Sequence, residues 1–407
     1  MSYLADLHVH SHLSRATSRE CSLEGFCAWA QRKGIRVVGT GDFTHPAWNA
    51  ELKDKLIDAG NGLLKLRPEL KAEIDSRVPL TCRQEIDFIL NVEISCIYKR
   101  DGAVRKVHAL VFAPDFDAVD AINAALAKIG NLKADGRPIL GLDCRDLLDI
   151  VLNASPNAWL VPAHIWTPWF SMLGSKSGFD SVAECFGDLT NEVFAAETGL
   201  SSDIPMNRLV SSLDRLALIS NSDAHSPANL GRNATIFHGD PGYLAIRQAL
   251  KTQSPTDFGG TLDLFPEEGK YHLDGHRACN VCLEPQQSRE LDNLCPVCGK
   301  PLVLGVLHRV MELADRTHDT LPPSPIPYTY IIPLPELLAE INQCAATTKT
   351  VTRKYEALLA KYGSEDHILR ALDLAPMRRT DPLLAEAIHR VRQRKVVRQG
   401  GYDGEYG

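Results

Sequence analysis

Residues 2–11 read SYLADLHVHS, a short apolar run followed at once by two histidines. If residues 4–7 form a strand, His8 and His10 leave its C-terminal end two positions apart. Residues at this spacing project to the same side of an extended chain, so the two imidazoles can belong to one cluster. A His-x-His pair alone is weak evidence, because such histidines are more often solvated or packed in a core. The pair therefore predicts a metal site only if other polar residues join it.

Six more apolar, β-branched runs continue this pattern along the chain, and helical segments separate them. Residues 23–33 are typical of the helices, since Ser22 can cap the N-terminus and Gly34 can end the helix. Residues 118–129 form another, ended by Gly130. The alternation predicts an α/β fold in which seven strand–helix units close into a barrel. The six further strands are predicted at residues 35–40, 86–92, 107–112, 159–163, 193–196 and 216–220.

Polar side chains stand at or just past the C-terminal ends of these strands. In βα barrels this rim carries the active site, because the loops that follow the strands converge there. Histidine and carboxylate groups together are ligands for Zn, Mn or Fe. Their recurrence at one rim predicts two or three divalent ions. The predicted ligands on this criterion are His8, His10, Asp42, Glu93, His164, Asp223 and His225.

Three other polar residues are ambiguous from spacing alone. His108 lies near the beginning of its strand, where a core histidine is as good an interpretation as a ligand. Glu197 and Asp203 follow the sixth strand in AAETGLSSD and could be ligands, a general base or exposed loop carboxylates.

Loop residues near the same rim could contact a nucleic acid. Trp166 and Trp169, in HIWTPWF, could stack on a base, although packing is the commoner fate of loop tryptophans. Lys176 and Arg232 could contact phosphate.

A cluster of divalent ions suits the hydrolysis of phosphoesters. Ions about 3.5–4 Å apart polarise a phosphoryl oxygen, lower the pKa of a water and stabilise the leaving oxygen. This chemistry requires no serine or cysteine nucleophile. The rim therefore predicts a metal-dependent phosphoesterase.

Two CxxC pairs predict a separate, structural zinc site. Cys279 and Cys282 precede Cys295 and Cys298, with 12 residues between the pairs. This spacing is typical of a closed four-thiolate ribbon holding one zinc ion, whereas a redox pair explains it poorly. We expect a catalytic barrel at 1–256, a linker at 257–275, the ribbon at 276–305 and a mostly helical region at 306–407.

Charge is segregated along the chain. The net charge is −7, but residues 346–398 carry 12 Lys/Arg against 6 Asp/Glu. Arg390, Arg392 and Arg394 belong to this basic segment, which is either a solvated face or a source of contacts to DNA phosphates. No window approaches the ~18 apolar residues of a membrane span, and the start lacks a secretion signal. We expect a cytoplasmic protein.

Six short motifs resemble the PHP superfamily of phosphoesterases: DLHVHS, GTGD, NVEIS, KVHAL, PAH and NSDAH. The resemblance implies a distorted seven-stranded barrel with up to three metals, and it implies that His108 is a ligand. Two positions depart from the superfamily pattern. Ala16 stands where a third histidine is usual, and Asp42 stands where histidine is commoner.

Longer strings resemble the endonuclease Q family and extend over nearly the whole chain: HIWTPWFSMLGSKSGFDS, ETGLSSDIPMN and SDAHSPANLGRNAT, followed by the ribbon. This resemblance implies a DNA repair endonuclease that cuts 5′ to uracil, hypoxanthine, xanthine or an abasic site. It adds Asp203 to Asp223 and Glu197 as a candidate catalytic acid, and it implies DNA and a replication clamp as partners. The alternatives are a phosphatase for a small monoester such as histidinol phosphate, and a non-catalytic DNA-binding scaffold.

Overall fold

The computed structural model describes residues 2–321 and 326–407 as an α/β protein. Within these residues, the strands are β1 Ser2–Asp6, β2 Ile35–Gly39, β3 Leu56–Asp58, β4 Leu64–Leu66, β5 Asp87–Ile89, β6 Asn91–Arg100, β7 Ala103–Phe112, β8 Ile139–Leu140, β9 Trp159–Pro162, β10 Ala195–Glu197, β11 Ala217–Ile219, β12 Ala234–His238, β13 Phe258–Leu264, β14 Asp274–His276, β15 Val281–Leu283 and β16 Tyr328–Ile331. The α-helices are α1 Leu23–Lys33, α2 Pro46–Lys55, α3 Pro68–Asp75, α4 Phe116–Leu126, α5 Cys144–Ala154, α6 Val182–Phe186, α7 Ile204–Arg208, α8 Tyr243–Thr252, α9 Pro285–Glu290, α10 Val306–Leu313, α11 Leu334–Asn342, α12 Lys349–Tyr362, α13 Ala375–Thr380 and α14 Pro382–Arg392.

Each of the seven predicted strands overlaps an observed one, and the α/β class is confirmed. The strands are hydrogen-bonded as one sheet of eight (β16-β13-β12-β1-β2-β5-β4-β3), one of four (β8-β6-β7-β9) and two pairs. Single contacts join these sheets near the site, such as Ile165 N to Glu197 O at 3.0 Å and His10 N to Ala224 O at 3.1 Å. A continuous seven-stranded barrel ladder is not part of this arrangement in the described residues.

Local sequence explains the helix ends. The Ser22 hydroxyl accepts a hydrogen bond from Gly25 N, and Gly34 ends α1 with φ of 85°, a conformation that glycine adopts without steric cost. α4 begins two residues before the predicted start, because Asp115 caps it by accepting from Ala118 N.

The largest departure from the predicted strands is a hairpin. β6 and β7 pair antiparallel over ten residues each, and the chain turns at Asp101 and Gly102. Both turn residues have positive φ, 53° and 76°, as the tight turns favoured in hairpins require. The Asp-Gly dipeptide was therefore the available signal for this hairpin.

The predicted linker at 257–275 is wrong. Most of its first half is β13, a fully buried strand that pairs antiparallel with β12 and parallel with β16. β16 brings the C-terminal region into the eight-stranded sheet, so this region is joined to the N-terminal part of the chain by a strand as well as by helices. Glycine and proline suggested an irregular segment here, but Gly260 is accommodated in the strand with φ of 99°.

A buried ion pair fastens the C-terminal helices to α1. Lys33 Nζ lies 2.8 Å from Glu365 Oε2, and both side chains are buried. The same carboxylate accepts hydrogen bonds from the Tyr355 hydroxyl at 2.7 Å and from Leu334 N at 3.0 Å. Its charge is thus compensated without solvent.

The ribbon is anchored in a comparable way. Asp274, on β14, accepts from Gly305 N and from His308 Nδ1, each at 2.6 Å, and thereby fixes the start of α10.

No helix in the described part of the chain is long and apolar enough to cross a membrane.

Replacing Glu365 with alanine should lower the free energy of unfolding by about 3–5 kcal/mol, because the Lys33 ammonium is then left buried without its partner. Chemical denaturation measures the change. Glu386→Ala is the matched control, since Glu386 pairs with Arg390 in solvent and such a pair contributes less than about 1 kcal/mol. Equal destabilisation by the two variants would contradict this account of the ion pair.

Candidate metal centre

Two groups of potential metal ligands lie close together: His8, His10, His164 and Asp223 follow strands β1, β9 and β11, whereas Glu93 and His108 lie within β6 and β7. The first consists of His8, His10 and Asp223, and the second of Glu93, His108 and His164. In each group the ligand atoms lie within 4.8 Å of one another. The structure therefore brings together six of the eight predicted metal ligands.

Glu93 links the two groups through its two carboxylate oxygens. Oε1 lies 2.8 Å from His108 Nδ1 and 3.0 Å from His164 Nε2. Oε2 lies 3.3 Å from His10 Nε2. Glu93 would therefore help to hold cations at both groups.

The donor atoms fit divalent cations better than they fit one another. His108 Nδ1 and His164 Nε2 face each other at 3.2 Å, although two imidazole nitrogens gain little by converging. His8 Nε2 is buried without a hydrogen-bond partner, 3.4 Å from Asp223 Oδ1. Nitrogen and carboxylate donors converging in this way are the ligand set of Zn, Mn or Fe.

Carboxylates behind the first histidine pair orient the rings. His8 Nδ1 donates to both oxygens of Glu197, at 3.0 and 3.1 Å, which leaves Nε2 facing the site. His10 Nδ1 faces Asp42 Oδ1 at 3.3 Å in the same manner. A ligand histidine commonly donates its other ring N–H to a carboxylate, and this contact fixes the tautomer and the ring orientation.

Asp42, predicted as a ligand, thus lies behind His10 and outside both ligand groups. Its Oδ2 accepts from Ser11 N, the Ser11 hydroxyl and the Ser14 hydroxyl, at 2.7, 2.6 and 2.9 Å. His225 also stands outside the groups, with its ring 4.7 Å from that of His10. Spacing along the sequence could not separate these residues from the ligands beside them.

Glu197, predicted as a ligand or base, is buried and fully engaged. Besides His8, its oxygens accept from Asn221 Nδ2 at 2.8 Å and from His164 N at 2.8 Å. The carboxylate therefore connects the two ligand groups from behind.

Strained backbone accompanies the site. Asp42, His164 and Asp223 have φ of 51°, 28° and 49°, a region that residues other than glycine seldom adopt. Such conformations persist only where the surroundings determine them, and they concentrate at functional sites. Three of the predicted ligands are thus held in place at a cost in backbone energy.

The electrostatics of the cluster are those of a cation site. Burial alone would lower the pKa of His8, but Glu197, Asp223 and Glu93 raise it well above its ordinary value. The pKa of Asp223 is held well below its usual range, since neighbouring histidines outweigh the effect of burial. By contrast, burial lowers the pKa of His108 to about 4. The Asp223 carboxylate is therefore ionised at neutral pH.

A cavity of about 650 Å³ opens above the ligands. His108, His164 and Asp223 line its floor. Its wall and rim include four residues that the sequence analysis did not single out: Arg137, Lys270, Tyr271 and Tyr406. Arg137 Nη1 lies 3.0 Å from Glu93 Oε2, and Tyr406 projects from the 398–407 segment with 62% of its surface exposed. They come from distant parts of the chain, so no local pattern marked them.

The two tryptophans predicted to contact DNA differ in their exposure. Trp169 lines the cavity, is partly exposed and packs edge-on against Tyr271 at 6.1 Å. Trp166 is buried, and its indole N–H donates to Asn207 Oδ1 at 2.7 Å. The prediction that Trp166 contacts DNA is therefore wrong, because packing removes it from the surface.

Asp203 occupies a structural position, contrary to the expectation of a catalytic acid. One oxygen caps α7 by accepting from Met206 N at 2.9 Å, and the other accepts from the Tyr330 hydroxyl at 2.6 Å. Burial raises its pKa. It does not line the cavity.

The predicted phosphate contacts also differ in position. Arg232 lines the cavity and donates to Ser222 O at 2.8 Å, so it supports the loop that carries Asp223. Lys176 is exposed but outside the cavity lining.

The three arginines of the basic segment have different environments. Arg392 donates to the carbonyl oxygens of Ile368, Leu369 and Leu372 at 2.7–3.0 Å, which makes it a structural residue. Arg390 is exposed and pairs with Glu386. Arg394 is exposed and stacks over Tyr328. Contacts of the latter two with DNA stay predictions.

Three of the four CxxC cysteines come together in one small ribbon, whereas the spacing predicted that all four would. Cys279, Cys295 and Cys298 lie with His276 in a group whose ligand atoms are all within 4.8 Å of one another. The Cys282 sulfur is outside this group, 3.8 Å from Gly400 O. The ribbon thus offers a separate candidate metal site, whose ligands are mainly cysteine sulfurs instead of histidine and carboxylate groups.

One family model and two proteins resemble this chain in sequence. A family model described as the MJ0043 C-terminal domain matches residues 333–395. Protein MJ0043 of Methanocaldococcus jannaschii is 33% identical over 255 residues, but the match covers 60% of this chain and only 31% of that protein. YqxK of Bacillus subtilis is 28% identical over 99% of this chain and 98% of its own length.

Two solved structures match the whole chain. One is the lesion-specific endonuclease PfuEndoQ from Pyrococcus furiosus, at a TM-score of 0.86 and 29% identity, covering 100% of this chain and 94% of that one. The other is endonuclease Q with a 27-mer duplex substrate carrying an abasic lesion at the active site, with the same score and identity and 96% of that chain covered. The resemblance to endonuclease Q that the motifs predicted is confirmed over the full length of the chain.

Proposed function

We propose that this protein is a metal-dependent DNA repair endonuclease. The observation that carries the proposal is the placement of buried Glu93 between two histidine-containing ligand groups, three members of which, His108, His164 and Asp223, line an open cavity. This protein also resembles a lesion-specific endonuclease over its whole length.

The proposed reaction is hydrolysis of a DNA phosphodiester immediately 5′ to a lesion, leaving 3′-hydroxyl and 5′-phosphate ends. The proposed lesions are uracil, hypoxanthine, xanthine and abasic sites. Divalent ions held by the two groups would polarise the phosphoryl oxygen and lower the pKa of the attacking water.

The protein's own residues would position these groups. His8, His10 and Asp223 would hold one ion, and His108 and His164 would hold another, with Glu93 between them. Glu197 keeps the proton of His8 on Nδ1, so that Nε2 is directed into the site.

Asp42 orients His10 by the same type of contact. Arg137 and Lys270 bring positive charge to the cavity, where a phosphate diester would enter. Because Asp42 and Glu197 each contact the Nδ1 atom of a histidine from behind the ligand groups, we assign both as positioning residues rather than ligands.

The exposed rings of Trp169 and Tyr406 offer stacking surfaces for an unpaired nucleotide. Extruding a base from a duplex costs least where pairing is already weak, which would favour lesions over intact DNA. Lys270 Nζ lies 4.5 Å from the centre of the Tyr406 ring, so aromatic and cationic surfaces meet at the rim.

Purified protein supplied with Mg²⁺, Mn²⁺ or Zn²⁺ should nick end-labelled duplexes that carry uracil, hypoxanthine or an abasic site. The matched undamaged duplex should stay intact, and gel mobility of the products reports the position of the cut. Efficient turnover of a small phosphomonoester, with every lesion duplex left uncut, would sink the proposal.

Asp223→Asn should abolish nicking while leaving duplex binding largely intact, because it removes a metal ligand and few DNA contacts. Asp203→Asn is the matched control. Both residues are acids in the loops that follow β10 and β11, but Asp203 contacts Met206 and Tyr330 rather than the ligand groups. Nicking by the Asp203 variant should persist in the folded fraction, and its selective loss would restore Asp203 as a catalytic acid.

Tyr406→Ala should weaken binding to lesion-bearing duplex by about 1–3 kcal/mol, the usual contribution of one stacked base. Tyr406→Phe keeps the ring and should bind normally. Val397→Ala, at a fully exposed apolar residue outside the cavity, controls for nonspecific loss of surface. Fluorescence anisotropy measures the affinities, and indistinguishable binding by all three variants would exclude stacking by Tyr406.

A further inference from the structure

We propose that the metal ion of the ribbon is held by His276, Cys279, Cys295 and Cys298, and that Cys282 is not a ligand. The four-cysteine spacing alone favoured Cys282. This inference concerns a structural site and does not depend on nuclease activity.

The side chains of the proposed set already converge. Their ligand atoms lie within 4.8 Å of one another, and His276 Nδ1 is 3.6 Å from Cys298 Sγ. His276 and Cys279 are three positions apart, as are Cys295 and Cys298. The set therefore has two pairs with the same x2 spacing, one His-x2-Cys and one Cys-x2-Cys.

Strand geometry explains why Cys282 is excluded. β14 and β15 pair antiparallel, with His276 opposite Val281 and Gly275 opposite Cys282. Residues directly opposite share a face, whereas successive residues on a strand alternate. Val281 packs with Cys295 in the small apolar core of the ribbon, so His276 shares the metal-side face and Cys282 points away from it.

The surroundings of Cys282 agree with this assignment. Its side chain is exposed, and its sulfur lies 3.8 Å from the carbonyl oxygen of Gly400, in the segment that runs beneath the ribbon. Moving the sulfur to the metal would require β15 to turn over and would break its pairing with β14.

Three thiolates and one imidazole form a complete tetrahedral shell for zinc, with no open position for a substrate. Cysteine thiolates select zinc over harder cations. We therefore assign Zn²⁺ as the ligand, in a structural role.

Alkylation of the native, metal-loaded protein tests the assignment without any mutation. Treatment with N-ethylmaleimide followed by peptide mass spectrometry should show Cys282 modified, and Cys279, Cys295 and Cys298 protected until a chelator is added. Protection of Cys282 equal to that of the other three would overturn the proposal.

Two variants provide a second measurement. Cys282→Ser should retain the zinc content of the wild type, and its Co²⁺-substituted form should keep the full thiolate-to-metal charge-transfer absorption of the ribbon. His276→Ala should lose ribbon zinc to a chelator at least roughly tenfold faster, since even an outer-shell partner contributes roughly 10–100-fold to metal affinity. Loss of about one zinc by Cys282→Ser, with His276→Ala unchanged, would establish the four-cysteine site instead.

Discussion

The buried carboxylate of Glu93 is the constraint on which the rest of this structure depends. An ionised group without solvent must be paired or neutralised, because an isolated buried charge is costly. Here the partners are the imidazoles of His10, His108 and His164 and the guanidinium of Arg137, at 2.8–3.3 Å from its two oxygens. Divalent cations would complete this compensation, and the surrounding hydrogen bonds keep their ligands in place.

The supporting residues make sense in this light. Ser11 and Ser14 donate to Asp42, which contacts His10, and Asn221 donates to Glu197, which contacts His8; the rings of His8 and His10 are thus oriented from behind. The positive φ angles of Asp42, His164 and Asp223 are energetically unfavourable, and the surrounding structure maintains them. The strands serve mainly as a rigid frame that positions this cluster.

Much of the metal centre could be predicted from the sequence, because strand ends locate side chains in a βα fold. The predictions failed where tertiary contacts decide the role. Trp166 and Trp169 stand three residues apart in one loop, yet one is in the core and the other at the rim. The difference depends on Asn207, 41 positions away, which no local pattern could indicate.

The same limit applied to residues that share a strand end. The sequence predicted Asp42 close to His10, but only the structure shows the three hydrogen bonds to its second oxygen, which support the positioning role that we propose. Arg137 and Tyr406 reach the cavity from loops with no recognisable motif. In the ribbon, cysteine spacing suggested four thiolates, whereas strand pairing decides which face each residue occupies.

The order of strands in the large sheet bears on how the protein folds. β1 lies between β2 and β12, and β13 separates β12 from β16, so neighbours in the sheet are up to about 240 positions apart in sequence. During synthesis, β12 must therefore leave the ribosome before β1 can pair with it. Such high contact order slows folding and leaves the edges of the sheet unpaired for longer.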